Sequence, residues 1–199
     1  NLTSVIKKVS HRTNIKWGSV TVSKATTPSA NTIEMWAEQD VLFFKVKAPA
    51  EDVKLTWFVL TIEWKNSDPA TSGTINTRAS TPITTVAVYD KDGNSIVDFD
   101  FEWDNLSDWD VTTTWTITTG INLTDFTKTV SEGETLEFVV KATFDNGEIV
   151  DLWNTYKFTL SNVYGQWVTS KTSISGITAV AGTTYSVVTT KPDVVLVKN

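Results

Sequence analysis

The chain contains no cysteine and a single histidine among its 199 residues. Without cysteine there can be no disulfide, no thiolate metal site and no thiol nucleophile. The one histidine, His11, lies in a polar bend, His11–Asn14, where a solvated side chain is the default. A serine triad or an imidazole metal site would have to rest on it alone. Charge is also scarce. Charged residues make up 20%, the net charge is −6 and the pI is about 4.8. The lysines are scattered rather than gathered into a stripe, which argues against a nucleic-acid partner and against an anionic membrane surface. No apolar run approaches the ~18 residues that a membrane span needs.

What is present is a large apolar fraction, 40%, with nine tryptophans, and threonine as the commonest residue. That suffices for a real core. Threonine suits the wet face of a sheet, because it is β-branched and tolerates water. The stretch Leu55–Trp64, LTWFVLTIEW, is the candidate central strand. At a two-residue period Phe58, Leu60, Ile62 and Trp64 share one face, and Trp57, Val59, Thr61 and Glu63 share the other. Further strands are expected over Ile15–Lys24, Thr32–Ala37, Val41–Ala48, Val111–Thr119, Thr183–Thr190 and Val194–Lys198, with a weaker one over Val163–Ile174. Two hairpins are expected. One joins Ile83–Tyr89 to Ser95–Trp103 through Asp90-Lys-Asp-Gly-Asn94, with Val97, Phe99, Phe101 and Trp103 facing in. The other joins Thr135–Phe144 to Glu148–Leu160 around Asp145-Asn-Gly147. Short strands punctuated by turns define an all-β fold, an antiparallel β-sandwich with Greek-key links. No linker divides the chain. The expected organisation is a short N-terminal arm, residues 1–14, followed by one domain, residues 15–199.

Several patterns could carry chemistry. Asn1-Leu-Thr3, Asn105-Leu-Ser107 and Asn122-Leu-Thr124 fit the N-glycosylation sequon, and Asn105 and Asn122 are expected in loops, where a glycan has room. Asp90-x-Asp92-Gly-Asn94 resembles half of a calcium loop, but the bidentate Glu is missing and a plain hairpin tip fits better. Metal ligands are therefore not expected. Trp17, Trp36, Trp109 and Trp167 have polar neighbours and could stack on sugars, whereas Trp57, Trp64, Trp103 and Trp115 read as core. A glycosidase needs two carboxylates across a cleft. Glu63, Glu102, Glu137 and Glu148 sit on strands, mostly on faces that read as solvent. No catalytic residue and no cofactor is implied, and the chain is expected not to be an enzyme.

The ends are unusual. The first stretch, NLTSVIKKVS, is apolar at Leu2, Val5, Ile6 and Val9, with a spacing that fits a strand or a helical turn, and Lys7 and Lys8 interrupt it. The last stretch, DVVLVKN, reads as a buried strand. The chain begins at Asn1 and not at Met, as a mature protein does after losing its leader, or as a trimmed piece does. An apolar arm must bury itself, either on its own domain or by completing a neighbour's sheet. Head-to-tail repetition of the second contact gives a filament. On the arm, the sequons, the lack of cysteine and the Thr-rich sandwich, the chain resembles archaeal thread pilins. That resemblance implies an extracellular filament subunit that polymerises with itself by donor-strand complementation, carries N-linked glycans and serves adhesion or biofilm structure. Leu2, Val5, Ile6 and Val9 would then be the residues donated to the neighbour. The alternative is a secreted carbohydrate-binding or surface-layer module.

Overall fold

The computed structural model describes residues 18–26, 32–33, 38–66, 75–76, 83–100, 110–111, 115–144, 154–175 and 180–187. The arm and the C-terminal stretch lie outside them, as do Trp17, Trp36, Trp103 and Trp109. Among the described residues every regular element is a strand. No helix there is long and apolar enough to cross a membrane.

The strands are β1 (Thr21–Lys24), β2 (Thr32–Ile33), β3 (Glu38–Lys47), β4 (Val53–Asn66), β5 (Ile75–Asn76), β6 (Ile83–Asp90), β7 (Ser95–Asp100), β8 (Asp110–Val111), β9 (Trp115–Leu123), β10 (Lys128–Val130), β11 (Thr135–Phe144), β12 (Asn154–Trp167), β13 (Ser173–Ile174) and β14 (Val180–Val187). One sheet runs β1-β3-β11-β6-β7, antiparallel throughout. The other runs β10-β4-β12-β14-β2, with β9 beside β4 and β13 beside β12. Its pairs are antiparallel except β14 with β2. The protein is thus an all-β sandwich.

The two sheets meet face to face through apolar alternation. From the first come Leu42, Phe44 and Val46 of β3, Val86 and Val88 of β6, and Phe138, Val140, Ala142 and Phe144 of β11, all buried. From the second come Phe58, Leu60 and Ile62 of β4 and Tyr156, Phe158 and Leu160 of β12. Phe44 stands edge-on to Phe58 at 5.4 Å between centroids and stacks on Phe138 at 5.0 Å. Such pairs add to what burial alone contributes.

The expected second hairpin does not form. β11 pairs with β3 and β6 in one sheet, and β12 pairs with β4 and β14 in the other. Their apolar faces meet across the core instead of lying side by side, and Phe144 packs edge-on against Tyr156 and Phe158. The expected strands also change length. β12 continues through the weaker stretch to Trp167, and β9 continues through Gly120 to Leu123. The first hairpin is present, with Gly93 at φ 82 in its turn.

Two bulges set the faces of the central pair. The register of β4 with β12 skips Thr56 on one strand and Ser161 on the other. Each extra residue resets the alternation. Val53 and Leu55 therefore share the buried face with Phe58, Leu60 and Ile62, and Val163 joins Tyr156, Phe158 and Leu160.

At one end of the sandwich three connections lock together. The Gly133 amide donates to the Ala48 carbonyl at 2.7 Å, and the Glu132 amide donates to Asp52 Oδ1 at 2.7 Å. The Glu51 carboxylate accepts the Ser170 hydroxyl and the amides of Thr169 and Ser170, and these hydrogen bonds, led by the Ser170 hydroxyl, hold its pKa below the usual carboxylate value.

Candidate functional site

Edge strands show what a sheet is prepared to pair with. β7, SIVDFD, carries the exposed Asp98 and Asp100, and β1 carries the exposed Lys24. Charges of this kind discourage edge-to-edge pairing. β9 is different. Its nine residues, WTITTGINL, contain no charge and no proline, and most are β-branched. Among the described residues it pairs with β4 alone, from Phe58↔Leu123 to Asn66↔Trp115, and none of them pairs with its other edge.

The outer face beside that edge is uncharged over several rungs. Asn122 of β9 lies opposite Val59, which lies opposite Asn162 of β12. One step along, Trp57 lies opposite Tyr164, and their rings stack at 4.6 Å and 25°. On the other side Thr61 and Ser161 join hydroxyl to hydroxyl. Trp57 and Tyr164 are both half-buried. The Trp57 indole N–H is covered and has no acceptor among the described residues. The expectation that Trp57 is core is corrected: Phe58 takes the inward position and its neighbour must point out. Trp167, expected to be exposed, is half-buried and packs against the core.

Asn122 is also corrected. It lies in β9, one residue before the strand's end, and not in a loop. Strand alternation nonetheless suits its sequon. Asn122 and Thr124 are exposed, while Leu123 between them is buried at 1% exposure. The Thr124 hydroxyl donates to Asp125 Oδ2 at 3.0 Å. Of the other assigned positions, Asn1, Leu2, Val5, Ile6, Val9, His11 and Asn105 lie outside the described residues.

The tip of the first hairpin is fully committed to its own structure. Asp90 Oδ1 accepts the amides of Asp92 and Asn94, each at 3.0 Å, and Oδ2 accepts Lys128 Nζ at 2.8 Å. The Asn94 side-chain amide donates to both oxygens at 3.2 Å. The Lys128 ammonium, followed by these amides, holds the Asp90 carboxyl well below the usual carboxylate range. The contact ties β10 in one sheet to the end of β6 in the other. Among the described residues no group of three His, Asp or Glu side chains could hold a metal ion.

The two candidate carboxylates among the described residues do not converge. Glu63 lies on the outer face of β4 and Glu137 on the outer face of β11, on opposite sides of the sandwich. Glu137 instead pairs with Lys45 at 2.5 Å. Glu102 and Glu148 lie outside the described residues.

Sequence reasoning missed the β9 edge and the Trp57–Tyr164 stack. An unbroken WTITTGINL was the available signal for the first. Pairing β4 with β12 in register was needed for the second.

No family model matches the sequence, and no curated protein matches it. Among solved structures the chain is similar to the sporulation control protein Spo0M from Bacillus subtilis, with a TM-score of 0.36 and 11% identity, over 86% of this chain and 50% of that one. The chain thus spans half the length of that protein, and a likeness at this level carries no inference about function.

Proposed function

We propose that the protein is a structural subunit of an extracellular filament, polymerising head-to-tail by adding an N-terminal strand to its neighbour's sheet. The support is the β9 edge: nine uncharged residues, unpaired on one side among the described residues, in an all-β sandwich whose other described edge strands are guarded or short. In this reading Leu2, Val5, Ile6 and Val9 form the donated strand and β9 receives it. Backbone hydrogen bonds give the contact its affinity, and repetition without closure gives the filament. The partner is a second copy of the chain, no reaction is catalysed, and N-linked glycans at Asn1, Asn105 and Asn122 coat the surface. Adhesion or biofilm structure is the role. Electron microscopy of the natively secreted protein tests it. Regular filaments with density for the first residues inside the adjacent subunit are expected, and deletion of residues 1–10 leaves a folded monomer that does not assemble. Full assembly by the deleted form would overturn the proposal.

A carbohydrate-binding module is the second reading, and the Trp57–Tyr164 stack favours it. It predicts a change in tryptophan emission on titration with glycans, and a flat response across a broad panel counts against it.

A further inference from the structure

The outer face of β9, β4 and β12 holds three things close together: a sequon asparagine on β9, an aromatic stack and an uncharged floor between them. Asn122 pairs with Val59, so on the same face its diagonal neighbour along β4 is Trp57. Diagonal positions of this kind are roughly 7–8 Å apart at Cα, and their side chains come closer. Val59 is short and apolar and leaves a shelf between the two. Trp57 and Tyr164 form its wall. Asn162 lies on the far side of Val59, and the Thr61 and Ser161 hydroxyls lie on the side away from the aromatic pair. No charged side chain occupies these rungs, which fits a neutral sugar better than a phosphate or a carboxylate.

We infer that an N-linked glycan on Asn122 folds back over Val59 and packs its first sugars against the Trp57–Tyr164 stack. The inference rests on the glycoprotein part of the function proposed above. A pyranose presents C–H groups on its ring faces and hydroxyls around its rim. The aromatic faces match the former, and Asn162 matches the latter. The glycan thereby covers apolar surface that the chain itself leaves half-exposed, and it shields one face of the strand pair next to the open β9 edge. A sugar anchored at Asn122 needs no independent affinity, because the covalent link supplies a high effective concentration.

The test is a thermodynamic cycle on the full chain secreted from an N-glycosylating host. Mass spectrometry of the Asn122 peptide is read first. Thermal unfolding is then compared with and without the glycan, by Asn122→Gln and by enzymatic deglycosylation, in three backgrounds: wild type, Trp57→Thr and Tyr164→Thr. The expected result is an occupied Asn122 and a melting temperature that falls by roughly 2–4 °C on glycan loss in the wild type. Either aromatic replacement shrinks that fall towards zero, so one folded variant is enough to complete the cycle. An occupied Asn122 whose glycan contributes equally in all backgrounds overturns the docking and leaves the glycoprotein reading standing. An unoccupied Asn122 overturns the docking, and Asn1, Asn105 and Asn122 all unoccupied overturn the glycoprotein part as well.

Discussion

Gly165 lies opposite Leu55 where β4 bulges, and the β4 backbone runs close beside it. A Cβ added there would sit 2.4 Å from the Lys54 carbonyl oxygen, 3.2 Å from its carbon and 3.3 Å from Leu55 Cα. All three are backbone atoms, so no rotamer change can relieve the contact. The strands would have to part by about an ångström, two rungs from one end of the pair that carries the second sheet. Overpacking typically costs about 1–3 kcal/mol, and a site with only backbone to move belongs at the top of that range. Gly165→Ala is therefore expected to destabilise by about 3 kcal/mol. For a chain of this size that lowers the melting temperature by roughly 6–12 °C. Urea unfolding followed by tryptophan fluorescence reads it directly. Gly120→Ala is the control, since a Cβ there meets nothing within 4 Å. Reducing the freedom of the unfolded chain should make it neutral or stabilising by about 0.4–1 kcal/mol. A loss below about 1 kcal/mol for Gly165→Ala, or equal losses for the two variants, would refute the reasoning.

Other outcomes follow from the same structure. Phe44→Ala, at a fully buried position between Phe58 and Phe138, should cost about 3–5 kcal/mol in chemical unfolding. Phe99→Ala, only partly buried on the edge strand β7, should cost clearly less. Because folding lowers the Asp90 pKa, the unfolded chain binds the extra proton and stability rises with pH through that window. Asp90→Asn should therefore be less stable than wild type at neutral pH, with the gap narrowing as pH falls below about 4, and a gap independent of pH would contradict the Lys128 contact as its source. Gly120→Lys places a charge on the open edge strand in free space. It should leave the fold intact by circular dichroism and, if β9 receives a neighbour's strand as proposed, reduce assembly in sedimentation assays.

The parts of this fold that could be read from the sequence are those set by a single strand. β11 spans Thr135–Phe144 as its alternation indicates, with Phe138, Val140, Ala142 and Phe144 all buried. The Asp-Gly turn of the first hairpin is likewise local chemistry. What was not legible depends on partners. Period-two alternation says that β11 and β12 each have an apolar face, but two such faces fit equally well side by side or across a core. The bulges at Thr56 and Ser161 exist only relative to the opposite strand, so the shared face of Val53, Leu55 and Phe58 could not be counted out from β4 alone. Gly120 reads as a strand's end, yet on an exposed face it needs no neighbour. Trp57 reads as core because aromatic residues usually are, and only the register with Tyr164 shows it on the outer face. The sequon at Asn122 was visible, but its place on a strand was not.

The pairing of β4 with β12 also dictates when the protein can become itself. Thr61 and Ser161 meet although 100 residues separate them, and β12 flanks β4 along nearly its whole length. A ribosome making the chain releases β4 long before residue 154 exists. Through that interval LTWFVLTIEW is a long, apolar, β-prone segment with its main partner absent, and contacts so remote in sequence form slowly. The second sheet is therefore assembled only after β12 and β14 have been made. Until then the unpaired strand is open to pairing with the wrong partner.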